Sequence, residues 1–183
     1  LIDNPEWVKR KLRDSYREYF KVYEHFYNIL KAYDMPTTSW IPIVADGTYY
    51  IPSSDFSCMI STEMFEEFFL DGIIEECRFL DRTIYHLDGP GALRHLDAIL
   101  SIKELDAVQW VPGAGNEGLE KWIPVYQKIQ SAGKAIVVYD VNLSNLDLLF
   151  ENLRPEGLWI DGIGGVKTKE DADYALKRIA NWK

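Results

Sequence analysis

His86 and Asp88 are the residues of this chain best placed to do chemistry. They close the short run Thr83-Ile84-Tyr85-His86-Leu87-Asp88 and stand two apart, so an extended backbone projects both side chains to one side. Gly89-Pro90-Gly91 follows, and its glycines let the backbone turn sharply and approach a ligand without a Cβ in the way. An imidazole beside a carboxylate can pass a proton or hydrogen-bond a small polar ligand. The plainer alternatives are a packed, hydrogen-bonded histidine and an aspartate that caps the next turn. Asp55 ends an earlier segment in the same manner and joins His86 and Asp88 as a candidate catalytic group. Trp110, Gly113, Asp140 and Asp161 close three later runs and are the candidate substrate contacts.

Each of these positions makes sense only if strands and helices alternate. From Pro5 and Trp7 an aromatic stripe through Tyr16, Tyr19, Phe20, Tyr23, Phe26, Tyr27 and Leu30 keeps a helical period, so residues 1 to 34 form a long leading helix that Pro36 stops. Its stripe is read as core rather than as a stacking platform. Asp46-Gly47, between Ser39–Ala45 and Thr48–Ile51, predicts a hairpin inside an irregular excursion on the ligand side. Ser61 or Thr62 caps the next helix, with Phe65, Ile73 and Cys77 on its buried face. Strands follow at Thr83–Leu87, Leu105–Val111, Lys134–Tyr139 and Gly157–Asp161. Between them lie helices from Leu93, from Trp122 to Ala132 with Gly133 as its stop, and after Ser144. Thr168 with Asp171 resembles a capping box for a last helix reaching about Trp182. This alternation indicates α/β architecture built from parallel β/α units, with the polar groups gathered at the carboxyl ends of the strands, where such folds bind ligands.

Composition narrows the function classes. The 183 residues are 47% hydrophobic, enough for one folded domain, and the net charge of −9 excludes nucleic acid as a routine partner, since phosphate binding needs a basic stripe. Lys9, Arg10, Lys11, Arg13 and Arg17 are interleaved with acids and read as a solvated helix face. No run is long and apolar enough to span a membrane, no secretory leader is visible, and two cysteines, Cys58 and Cys77, make no disulfide framework. A reduced, cytoplasmic setting is the expectation. The Gly113-Ala114-Gly115 loop lacks the third glycine of a dinucleotide fingerprint, so phosphate binding there is the lesser reading.

Several stretches together resemble the uroporphyrinogen decarboxylase superfamily, which includes corrinoid-dependent methyltransferases. They are Ser54-Asp55-Phe56-Ser57 before Ile60–Phe65, then Tyr85-His86-Leu87-Asp88-Gly89, Asn142-Leu143-Ser144-Asn145-Leu146, and Gly162 to Val166 ahead of Thr168 and Glu170. The likeness runs over most of residues 39 to 183. It implies the C-terminal portion, about five strands, of a TIM-barrel-like fold. The missing strands would come from a longer polypeptide or from a second copy of the chain.

The resemblance implies an enzyme that acts on a small acidic or methylated metabolite, by decarboxylation or methyl transfer, at the carboxyl face of the barrel. The methyltransferases hold zinc through a His-x-Cys pair and a late Cys. Here His86 matches, Asp88 stands at the first Cys position, and no Cys follows Cys77. A divalent metal such as zinc still accepts imidazole and carboxylate, so His86, Asp88 and Asp161 are the predicted ligands. The alternative is that His86 and Asp88 hold an organic substrate by hydrogen bonds without a metal. His95 lies outside the matched motif, and if a metal is bound His95→Ala is predicted not to lower its affinity strongly, whereas His86→Ala does. A corrinoid would enter only on a partner protein. The competing function is a ligand-binding or interaction fragment without turnover.

Overall fold

The computed structural model describes residues 1–182. Helix α1 (Pro5–Ala32) starts where Asn4 accepts the Trp7 amide on its side chain and Pro5 fills the first helical position, which needs no amide donor. None of its residues is fully buried. Its aromatic stripe is docked along the rest of the molecule rather than enclosed by it.

The excursion after α1 differs from the predicted hairpin. Thr37–Thr38 (β1) pairs antiparallel with Val44–Ala45 (β2), while Tyr49–Tyr50 (β3) joins a different sheet, parallel to Arg82–Asp88 (β4). Asp81 is the reason that Asp46-Gly47 does not fold back as a hairpin. Its carboxylate accepts both the amide and the hydroxyl of Thr48 at 2.9 Å, and its own amide donates to the Thr48 hydroxyl. A Cβ on Gly47 would lie 2.5 Å from that carboxylate, so only glycine lets the turn close against it. These bonds hold the Asp81 carboxyl below its ordinary range.

Between β3 and β4, Ser61 caps Thr62–Phe65 (α2) through the Met64 amide, as predicted. A π-turn over Glu66–Leu70 leads into Asp71–Phe79 (α3). After β4 the predicted helix from Leu93 begins as a 3-10 turn, Pro90–His95, and becomes α-helical only over Leu96–Leu100 (α4). Ala107–Val111 (β5), Leu119–Ser131 (α5), Ala135–Val138 (β6), Leu146–Asn152 (α6), Leu158–Ile160 (β7) and Lys169–Ala180 (α7) complete the chain. The capping box of α7 forms as read, Thr168 accepting the Asp171 amide and Asp171 accepting the Thr168 amide.

The main sheet has five parallel strands in the order β3-β4-β5-β6-β7, with no reversal of strand order. Strand periodicity divides the sheet into two faces. Tyr85, Leu87, Val108, Trp110, Ile136 and Val138 form one core with the helices, including Phe65, Ile73, Ile99, Ile129 and Leu149. The opposite face begins, at the amino ends of the strands, with Ile51, Ile84, Ala107 and Ala135 under Ile41 and Ile43. One row further along, the register aligns Ser53, His86, Gln109, Val137 and Trp159. Asp88 and Val111 come next. This face is apolar at the amino ends of the strands and turns polar along β4 and β5 with His86, Gln109 and Asp88. No helix among the described residues is long and apolar enough to cross a membrane.

Candidate metal centre

Asp55, His86 and Asp88 each offer a ligand atom within 4.8 Å of the other two. Asp55 opens the 3-10 turn Asp55–Met59, which the bridge between Ser53 and His86 places beside β4. His86 Nε2 lies 4.0 Å from Asp55 Oδ1; the imidazole is 19% exposed and the carboxylate 70%. Gly89, at φ 76, takes the chain out of β4, and its amide donates to the Val111 carbonyl at 2.9 Å. That left-handed turn lets the loop leave the strand while the end of β4 stays tied to β5.

Gln109 decides what His86 can do. Its side chain is 2% exposed, and its Oε1 lies 2.6 Å from His86 Nδ1. Its Nε2 donates in turn to the Tyr139 hydroxyl. An amide oxygen can only accept, so Nδ1 carries the hydrogen, and in the neutral ring Nε2 turns a lone pair toward Asp55. A lone pair and a carboxylate oxygen 4.0 Å apart repel unless a metal ion, a proton on Nε2 or a bridging water stands between them. Zinc–nitrogen and zinc–oxygen bonds of about 2.0–2.2 Å match that span. A buried partner that orients a ligating imidazole through its other nitrogen is the usual support of such a site. Tyr139 ends the relay; burial raises its hydroxyl pKa, and the negative charge of Asp161 adds to the shift. Trp40, 55% exposed, sets its ring edge-on to His86 at 6.0 Å between centroids.

The structure sorts the remaining predicted residues. The carboxylate brought within reach of His86 and Asp88 is Asp55, because the turn after β3 reaches back over β4. Asp161 follows β7, three strands from β4, and is exposed. Trp110 does not contact this site. It is fully buried on the helix-facing side, 4.9 Å from the Trp122 ring, because its parity along β5 is opposite to that of Gln109. Gly113 lies in the loop after β5 at φ 78 with open space where a Cβ would be. Asp140 takes a left-handed conformation, φ 58, after β6; its Oδ2 accepts the Gly118 amide and its carbonyl accepts Asn145 Nδ2. In the glycine loop Glu117 already accepts the Gly115 amide at 2.8 Å, so a carboxylate of the chain itself occupies the donor that a phosphate would use.

Sequence reasoning missed Gln109 and Tyr139. A buried amide within the otherwise apolar run Ala107-Val108-Gln109-Trp110-Val111 was the available signal, since such a group requires partners. Neither cysteine replaces the missing thiolates. Cys58 is exposed and outside the cluster, while Cys77 is buried on the helix side, its thiol pushed up to about 11 by burial. The larger clefts also lie elsewhere. One of about 670 Å³ is lined by Ile43, Asp81 and Asp106 at the amino ends of the strands, and one of about 680 Å³ by Phe150, Arg178 and Trp182.

The fold and the cluster define an α/β protein with two carboxylates and an oriented imidazole at the carboxyl end of a parallel sheet. No family model matches the chain, and neither a curated protein nor a solved structure matches it.

Proposed function

We propose that this chain is the metal-binding, C-terminal portion of a β/α barrel enzyme of the uroporphyrinogen decarboxylase type, acting on a small acidic or methylated metabolite. The observation that carries the reading is the lone pair of His86 Nε2 facing Asp55 at 4.0 Å with Asp88 alongside, its direction set by Gln109. The unbroken sequential strand order, with the major helical core on one face, supports the barrel part of the proposal, since doubly wound sheets reverse their strand order. Two carboxylates and one imidazole would hold the ion and leave positions free for substrate, as catalytic rather than structural sites do. When bound, the ion supplies Lewis-acid stabilisation of an anionic substrate atom. Gln109 and Tyr139 keep the His86 ring in one tautomer, and Trp40 walls one side of the imidazole. A methyl-transfer version requires a methyl donor, which the family likeness assigns to a corrinoid on a partner protein.

Calorimetric titration of the metal-free protein with zinc tests the reading. Binding that is lost in His86→Ala and weakened in Asp55→Asn is the expected result. A wild-type chain that binds no divalent ion would sink the metal proposal. The second reading, a ligand-binding or interaction module without turnover, is favoured by the 70% exposure of the Asp55 carboxylate. Zinc binding without methyl transfer or decarboxylation on addition of substrates, in a polypeptide carrying all eight barrel strands, would select it.

A further inference from the structure

We propose that His95 is a positioning residue for this centre, holding the turn that carries Asp55 against the turn that follows Asp88; the proposal rests on the metal reading of Asp55, His86 and Asp88. His95 is completely buried, its Nε2 lies 2.9 Å from the Ser57 carbonyl oxygen, and its ring stacks on Phe65 at 4.4 Å with planes 27° apart. A carbonyl only accepts, so Nε2 carries the hydrogen, and the buried Nδ1 is left with a lone pair and no partner. Burial lowers the pKa of this imidazole, in keeping with a neutral ring that acts as a single-point donor.

Of the two turns joined by this bond, one carries Asp55 and the other follows directly on the strand that carries His86 and Asp88. Ser57 is 1% exposed and lies two residues after Asp55. His95 ends the 3-10 turn that starts at Pro90, two residues after Asp88. The turns touch elsewhere too: a Cβ on Gly91 would lie 3.1 Å from the Cys58 carbonyl oxygen and 3.2 Å from the Cys58 Cβ. Arg94 Nε donates to the Gly91 carbonyl at 2.8 Å, bracing the second turn internally. The Asp55 carboxylate is too exposed for packing around it to hold it 4.0 Å from His86. Its position is inherited from the backbone of its turn, and His95 is the buried side chain that ties that backbone down.

A packing role and a hydrogen-bonding role separate by substitution. His95→Leu fills the space beside Phe65 but donates nothing, whereas His95→Gln offers an amide donor to the Ser57 carbonyl. In the metal-free protein, amide exchange at Ser57 and Ile60, which donate within the turn to Ser54 and Ser57, should accelerate in His95→Leu. It should return toward wild type in His95→Gln, while the amides of the central strands stay protected in both. Contrary to the expectation from its place outside the matched motif, zinc affinity should fall roughly 10- to 100-fold in His95→Leu and stay within about threefold in His95→Gln. Should the leucine variant fail to fold, Gly91→Ala presses on Cys58 without touching His95, and it should speed exchange in the same turn and weaken zinc. Unchanged exchange in a folded His95→Leu, or zinc affinity that survives when the turn loosens, overturns the proposal, as does a glutamine variant as impaired as leucine. If the wild type binds no zinc, the metal reading fails by itself, and the exchange data still decide whether His95 holds the Asp55 turn.

Discussion

The Tyr23 hydroxyl of α1 lies 2.8 Å from both the amide nitrogen and the carbonyl oxygen of Tyr49, accepting from one and donating to the other. Tyr49 belongs to β3, the edge strand of the main sheet, so one side chain satisfies two backbone groups that the edge would otherwise expose. The long aromatic helix thus covers one sheet edge within a single chain, an edge that sequence reasoning assigned to a second copy or to further polypeptide. Tyr23→Phe should cost about 1–3 kcal/mol in urea denaturation, because it removes both partners at once. It should also increase association through the uncovered edge, measured by light scattering; equal stability and equal association would show that the helix holds by packing alone.

Gly72 makes the docking of α1 on α3 possible. A Cβ there would fall 2.0 Å from the Tyr16 ring, so Gly72→Ala must displace the aromatic stripe. We expect a loss of roughly 1–3 kcal/mol and new protease cleavage within α1. Resistance to limited proteolysis equal to wild type would show that Tyr16 moves aside at little cost.

Glu76 on α3 has its carboxyl pushed up to about 7 by burial. Burial raises the pKa values of Tyr16, Tyr19, Tyr85 and Cys77 nearby, and the negative charge of Glu76 raises each further. A folded-state pKa above the ordinary 4.5 means that the native state holds the proton more tightly than the unfolded chain. The contribution of Glu76 to stability should therefore fall as pH rises from about 4.5 to about 7 and level off above that. Glu76→Gln should gain roughly 2–3 kcal/mol over wild type at about pH 8 and almost nothing at about pH 4. A gain independent of pH would mean that the carboxyl is solvated in the native state.

The ligand assignment separates two aspartates. His86→Ala should remove most zinc affinity and Asp55→Asn should lower it at least about tenfold, whereas Asp161→Asn should leave it within about twofold. Metal should also raise the melting temperature of the wild type in proportion to the logarithm of free zinc, and a chelator should reverse the shift. An Asp161 variant as impaired as the Asp55 variant would restore the ligand set read from sequence.

Trp159, 38% exposed, stands on β7 at the other end of the sheet. With an edge strand there and apolar groups on the face away from the helices, the isolated chain should associate as its concentration rises. Sedimentation across a dilution series measures this. A monomer at every concentration would mean that five strands suffice, and the half-barrel reading would be given up.

Parity and punctuation within single segments were legible in the sequence. His86 and Asp88 share a face because a strand alternates, and Thr168 with Asp171 caps a helix because both partners lie within one turn. The parallel α/β architecture was legible for the same reason, since it follows from the order of such segments. Pairings between distant segments were decided only by the tertiary structure. Asp46-Gly47 looks like a hairpin until Asp81, more than thirty residues on, takes the Thr48 amide and directs β3 into the parallel sheet. Trp110 looks like a ligand contact until the register turns it toward Trp122. Asp55, rather than Asp161, lies beside His86 and Asp88, and Gln109 sets the tautomer of His86, because neighbouring segments bring those groups together across gaps in sequence. Local chemistry is set by dihedral angles within a few residues. Which oxygen faces which nitrogen across two strands depends on register and turn packing, and only the folded chain brings those together.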